Sequence, residues 1–282
     1  MKVDVVVLTK NSEPTLEKCL DSIYENVPVD RLIAVDGFST DGTLSILRKY
    51  REKYGNVVIV PESGTRAMAR QRGIELVETE WFMFVDSDVI LCKDWFKKAE
   101  KLNGPEVGAI WGVDIPSNPR IYYRAKALMN ARHLKLSQVM RTNFKIRGGT
   151  HDILIRTDAV KDIKIPKDLH VYEDTYIKEW IEKRGYKALA VENPYCEHHR
   201  WAQPYRWSFK SMLLSFILEI RYGLLQYHAF RYLLKSVILA LPRTVLKSLT
   251  SKDRTAAREE WDMYYYMFLV DMITKTRNAE KG

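Results

Sequence analysis

The stretch FMFVDSDVIL, Phe82–Leu91, is an apolar run interrupted by two carboxylates, Asp86 and Asp88. Two residues apart in an extended chain, these side chains leave the backbone on the same side, so both can face one ligand. Hard divalent cations take oxygen ligands and are commonly held by one or two carboxylates together with substrate phosphates. The pair is therefore a candidate seat for Mg2+ or Mn2+. The same letters also suit a solvated turn in which one aspartate caps a following helix, and the pair alone does not choose. In SGTRAMARQRGI, Arg66 and Arg70 stand one helical turn apart, and guanidinium groups match phosphate oxygens in pairs. Arg72 falls elsewhere on the helix and reads as solvated.

These residues need elements to position them. VDVVVLT, Val3–Thr9, is a continuous β-branched run of the kind covered on both faces of a sheet, and Ser12 with Pro14 opens an amphipathic helix carrying Leu16, Leu20 and Ile23. The pattern recurs as RLIAVD then TLSILRKYREKY, NVVIV then TRAMARQRGIELVE, and WFMFVD then KDWFKKAEKL. Strands alternating with helices predict a largely parallel sheet with helices on both faces, and ligands of such sheets sit beyond the carboxyl ends of the strands. Asp86 and Asp88 follow their strand directly and so lie at such an end.

Taken together, VDVVVLTKNSEPTLEKCLDSI, AVDGFSTDGT, ARQRGI, FMFVDSDV and YEDTYIKEWIEKRGY resemble, in order and spacing, the family 2 glycosyltransferases of GT-A fold, dolichyl-phosphate sugar synthases and related enzymes among them. The resemblance covers roughly residues 1–200. It implies an inverting, metal-dependent glycosyltransferase with a nucleoside diphosphate sugar of UDP or GDP type as donor. Carried over, Thr9 and Asp36 become nucleoside contacts, and Asp41 braces the loop that holds them; the sequence STDGT equally suits an Asx turn and helix cap. Gly148 and Gly149 become a close approach to the donor sugar, where the lack of a Cβ leaves room. Glu173 and Asp174 become the acceptor-facing acids, with Asp174 as general base, although acids in a first helical turn also favour the helix dipole. CEHHRW offers His198 or His199 as a further metal ligand, and imidazole suits Mn2+ better than Mg2+. Neighbours in an extended chain cannot easily both reach one ion, and His151 is a further candidate.

The chain carries a formal net charge of +9, and residues 200–282 alone hold 14 Lys and Arg against 7 Asp and Glu. Helical apolar stretches rich in Trp, Tyr and Leu begin near Arg200, and His228, Arg231 and Lys235 fall on one stripe beside Leu233, Leu234, Val237 and Ile238. The expected layout is a catalytic domain over 1–200 and a helical appendage over 201–282, which either lies in a membrane interface or packs on the domain or across a homo-oligomer. WDMYYYMFLVDMITK, Trp261–Lys275, reads as another helix of that appendage. Interfacial placement would bring a polyprenyl phosphate or lipid-linked acceptor within reach; a structural role leaves a soluble or polysaccharide acceptor.

Three widely spaced cysteines, Cys19, Cys92 and Cys196, outside any CxxC pattern suggest neither a disulfide framework nor a thiolate metal site. They fit a cytoplasmic protein, at most on the cytoplasmic face of a membrane. A sugar nucleotidyltransferase normally opens with a Gly-rich loop after its first strand, and LTKNSEPT has no glycine there. A basic module binding membrane or nucleic acid would leave the ordered acidic motifs without a role, so no nucleic-acid partner is expected.

Overall fold

The computed structural model describes residues 1–116, 127–135, 138, 139, 142, 144, 148–169, 171–199, 218, 221 and 222. The chain divides into two compact units, Met1–Ile115 with Arg147–Trp201 and Pro116–Ile146 with Ala202–Gly282. The first holds the sheet. The stripe at 228–238 and the helix expected over 261–275 lie outside the described residues. Among the described residues, no helix is long and apolar enough to cross a membrane.

Eight strands form one mixed sheet in the order β3-β2-β1-β4-β7-β6-β8-β5: β1 Val3–Thr9, β2 Val29–Asp36, β3 Val57–Pro61, β4 Trp81–Asp86, β5 Val89–Leu91, β6 Val107–Pro116, β7 Asp152–Arg156 and β8 Lys187–His198. Strands β3, β2, β1 and β4 run parallel, while β7 is antiparallel to both β4 and β6, and β5 to β8. The helices flanking the sheet include α1 Glu13–Asn26, α2 Thr43–Tyr54, α3 Arg66–Leu76, α4 Trp95–Glu100 and α5 Glu173–Lys183. Val3, Val5 and Val7 of β1, with Trp81, Met83 and Val85 of β4, pack a core shared with Leu16, Leu20 and Ile23 of α1. Burial of both faces is the reason these strands read as unbroken apolar runs.

Chain order reverses beside β1: β2 and β3 extend to one side and β4 lies on the other. A crevice opens at such a switch point beyond the carboxyl ends of the strands. Here that point lies between the adjacent ends of β1 and β4, just beyond which the Ser12 and Ser87 hydroxyls are hydrogen-bonded at 2.8 Å. The apolar run at 82–91 is not one strand. It breaks after Asp86, turns through Ser87 and Asp88, and resumes as β5 against β8.

Candidate active site

Strand β4 ends at Asp86 and the turn after it presents Asp88. Strand β8 brings His198 into register with Val89, next to that turn. One ligand atom from each of Asp86, Asp88 and His198 lies within 4.8 Å of the others, and His198 Nε2 is 3.2 Å from Asp88 Oδ1. His199 is placed differently. Successive side chains of a strand point to opposite faces, and the His199 ring lies 3.3 Å from Glu197 while its backbone N–H donates to the Asp88 carbonyl at 2.7 Å. Of the two histidines, His198 joins the carboxylates.

The Asp86 carboxylate accepts from Arg70 Nη2 at 2.5 Å. Desolvation opposes its ionisation, but Arg70, His198 and His151 outweigh that, and the carboxyl is held down at about 2. Asp86 is therefore ionised at any ordinary pH, as a cation ligand must be. Two carboxylate oxygens and an imidazole nitrogen at a strand end fit Mn2+ and, less selectively, Mg2+. Arg70 is only 3% exposed and stacks over the Phe84 ring at 4.6 Å. It sits behind Asp86 as a buried counter-charge, whereas the spacing of the two arginines suggested a surface clamp on phosphate. Arg66 is exposed at the start of α3, and Arg72 pairs with Glu75 at 3.7 Å.

His151 stands behind this triad with both ring nitrogens committed. The Trp111 indole N–H donates to Nε2 at 3.1 Å, which puts the imidazole proton on Nδ1, 2.8 Å from Asp152 Oδ1. Cys196 Sγ lies 3.6 Å from the same nitrogen. His151, Asp152 and Cys196 are grouped closely enough for a metal, but this tautomer leaves His151 no lone pair for one. The Trp95 indole N–H donates to Asp152 Oδ2 at 2.9 Å, and Asp114 of β6 lies 3.8 Å from His198 Nδ1 and 4.0 Å from His151 Nε2. Asp114, Trp111 and Asp152 were not apparent as site residues; the one available signal was a lone acid in the otherwise apolar WGVDIP.

The two glycines separate. Gly148 has φ +69, and a Cβ there would meet the Asp174 carbonyl oxygen at 2.8 Å, so it lets the chain pass the start of α5. A Cβ at Gly149 would lie 2.6 Å from Trp111 Nε1. The room left at Gly149 is thus taken by the indole that holds His151.

At the other end of the crevice, Thr9 and Asp36 close β1 and β2 side by side, and the Thr9 hydroxyl donates to Asp36 Oδ1 at 2.8 Å. Asp41 accepts from the Thr43 and Glu13 backbone N–H groups at 3.0 and 3.2 Å, bracing the loop and the start of α2. Glu173 and Asp174 occupy the first turn of α5. Glu173 is buried. Its burial, and then the negative charge of Asp174, push its carboxyl up to about 7 against the pull of Arg70 and Arg66. Asp174 is partly exposed, and its Oδ1 accepts from the Thr175 N–H at 2.8 Å.

Because the folded-state pKa of Glu173 is raised, its contribution to stability is fully present below the ordinary value near 4.5 and is lost as pH rises through about 7. The melting midpoint of Glu173→Gln is expected to exceed that of wild type above pH 7, with the difference closing towards pH 4.5. Parallel midpoint curves for the two proteins across this range would contradict the assignment.

The fold and site together define an α/β protein of GT-A architecture, with a strand-end carboxylate pair beside a switch-point crevice. Comparison with known proteins gives the family. The model of glycosyl transferase family 2 matches residues 4–162, and the chain belongs to that family. A poly(ribitol-phosphate) beta-glucosyltransferase of Bacillus spizizenii is 38% identical over 94 residues, which cover 31% of this chain and 15% of that protein. The chain thus matches a small part of the length of that relative, and 34% of a PGL/p-HBAD biosynthesis glycosyltransferase of Mycobacterium tuberculosis. Among solved structures, TarS 1–349 of S. aureus in complex with UDP-GlcNAc superposes with a TM-score of 0.60 at 19% identity, covering 96% of this chain and 82% of that one. The mannosyltransferase PcManGT from Pyrobaculum calidifontis, in complex with GDP-Man and Mn2+, gives 0.56 at 21% identity, covering 100% and 76%. At these identities the structures show the shared fold.

Proposed function

We propose that this protein transfers a sugar, with inversion, from a nucleoside diphosphate sugar to a hydroxyl-bearing acceptor. One observation carries the reading: Asp86, Asp88 and His198 converge within 4.8 Å at the end of β4, beside the switch-point crevice. These three would hold Mn2+ or Mg2+, which when bound supplies positive charge against the charge that develops on the departing diphosphate. Arg70 keeps Asp86 ionised and fixed in place. Arg66, exposed at the start of α3, is the guanidinium placed to meet phosphate oxygens. Asp174 takes the proton of the acceptor hydroxyl, while buried Glu173 supports it from behind.

The relatives named for transfer onto poly(ribitol-phosphate) favour a polyol or polysaccharide hydroxyl over a polyprenyl phosphate as acceptor. Peripheral membrane contact through residues 201–282 rests on their charge and apolar pattern alone. Incubation with a panel of nucleoside diphosphate sugars and Mn2+ should release nucleoside diphosphate from at least one donor, faster when a poly(ribitol-phosphate) acceptor is added. Failure to turn over any donor, with or without acceptor, would overturn the reading.

A further inference from the structure

The polar cluster behind the carboxylate pair holds one acid that the chemistry above does not use, Asp114 of β6. Gly112 and Asp114 lie two residues apart on one face of that strand. A Cβ at Gly112 would run into the Asp152 carboxylate and meet the Trp95 indole nitrogen at 3.1 Å, so this face looks onto the buried polar groups around His151. The Asp114 carboxylate stands there between two imidazoles: Oδ1 is 4.0 Å from His151 Nε2, and Oδ2 is 3.8 Å from His198 Nδ1. The two rings do not offer it the same chemistry. His151 Nε2 accepts from the Trp111 indole N–H at 3.1 Å, and an indole only donates, so that nitrogen carries no proton to give Asp114. His198 Nε2 lies 3.2 Å from Asp88 Oδ1, on the side of the carboxylate pair, and a cation held there needs its lone pair. The proton of the neutral ring then belongs on Nδ1, the nitrogen that faces Asp114.

We propose that Asp114 is a positioning residue for the metal seat: its carboxylate takes the Nδ1–H of His198, fixes the ring with the Nε2 lone pair towards Asp86 and Asp88, and gives the seat its preference for Mn2+ over Mg2+. The proposal rests on the metal reading above. A carboxylate accepting from the far nitrogen of a ligating imidazole sets its tautomer and raises the basicity of the near nitrogen. Little water competes for that hydrogen bond, because the His198 and Asp114 side chains are only 11% and 10% exposed. The ring is confined as well. His198 is held in register with Val89 on β5, and its imidazole packs beside that of His151 with centroids 5.5 Å apart. Closing 3.8 Å to hydrogen-bond distance is a movement of about 1 Å, within reach of a side-chain rotation. Selectivity follows from the ligand types. Imidazole suits Mn2+, whereas Mg2+ prefers oxygen, so a ring left unfixed costs Mn2+ more.

Mn2+ titrated into the full chain and followed by the electron paramagnetic resonance of the free ion, alone and with UDP or GDP present, tests this apart from turnover. Asp114→Ala is expected to weaken Mn2+ by about 10-fold to 100-fold, and to weaken Mg2+, read by its competition with Mn2+, by less. Asp114→Asn keeps an acceptor without the charge and should fall between alanine and wild type; it carries the test if the alanine variant does not fold. His198→Ala removes the ring through which Asp114 acts, so adding either Asp114 substitution to it should change Mn2+ affinity by about 2-fold or less. An equal loss in both backgrounds would overturn the proposal, because Asp114 would then act on the ion directly or through the fold. Wild-type Mn2+ affinity in both Asp114 variants would overturn it while leaving the metal reading standing. No Mn2+ binding to wild type under any of these conditions would overturn the metal reading itself.

Discussion

Replacing Asp88 by alanine is expected to abolish the strengthening of nucleotide binding by Mn2+ or Mg2+ while leaving the melting midpoint within about 2 °C of wild type. Asp88 is the cleaner of the two carboxylates to remove. Its side chain is 34% exposed and lies 3.2 Å from the His198 ring. The part of the residue that holds structure is the backbone carbonyl, which accepts from the His199 N–H and is kept by alanine. Asp86 is the opposite case. Its partner Arg70 is nine-tenths buried, with Nε and Nη1 already lacking hydrogen-bond partners, so Asp86→Ala would strand a buried guanidinium and mix loss of fold with loss of metal. Titration of UDP and GDP into wild type and Asp88→Ala, each with Mn2+ and with chelator, reads the effect directly. If chelator leaves wild-type affinity unchanged, the carboxylate pair is a turn and not a metal seat.

The strands around this seat were legible because burial of both faces writes itself locally: VDVVVLT and WFMFVD need no long-range information to be read as strands, and the β1 boundaries at Val3 and Thr9 follow from the run itself. What depends on pairing was not legible. The choice of His198 over His199 follows from the register of β8 on β5, set by residues about a hundred positions apart. Gly149 illustrates the same limit, since its open side is filled by Trp111 from β6, and no local spacing announces that contact. Arg70 read as a surface clamp because helical periodicity gives a face but not the depth of the neighbour opposite, here Asp86 and Phe84. The end of β4 at Asp86 was legible in FMFVDSDVIL, but its return as a short strand β5 paired with β8 was not, because that pairing is made with residues far along the chain.

Asp174→Asn is expected to lower turnover by roughly 100-fold or more with donor affinity preserved, the usual size of a general-base contribution. The substitution is nearly isosteric, and the asparagine carbonyl can still accept from the Thr175 N–H, so α5 keeps its start. Only the ability to take a proton is lost. Glu173 cannot substitute for it: this neighbour is buried, faces the field of Arg66 and Arg70, and is pushed up to about 7 by burial and by Asp174 itself. Of the two carboxyls, the partly exposed Asp174 is the one an acceptor can reach. The size of the loss also reports the acceptor. A hydroxyl must surrender its proton as it attacks, so the variant should be nearly inert with a polyol or sugar acceptor. A phosphate acceptor is already anionic, and with a polyprenyl phosphate the same variant should lose little. Donor affinity from titration, set beside turnover with each acceptor class, separates these outcomes, and full turnover of Asp174→Asn with every acceptor would remove the residue from the mechanism.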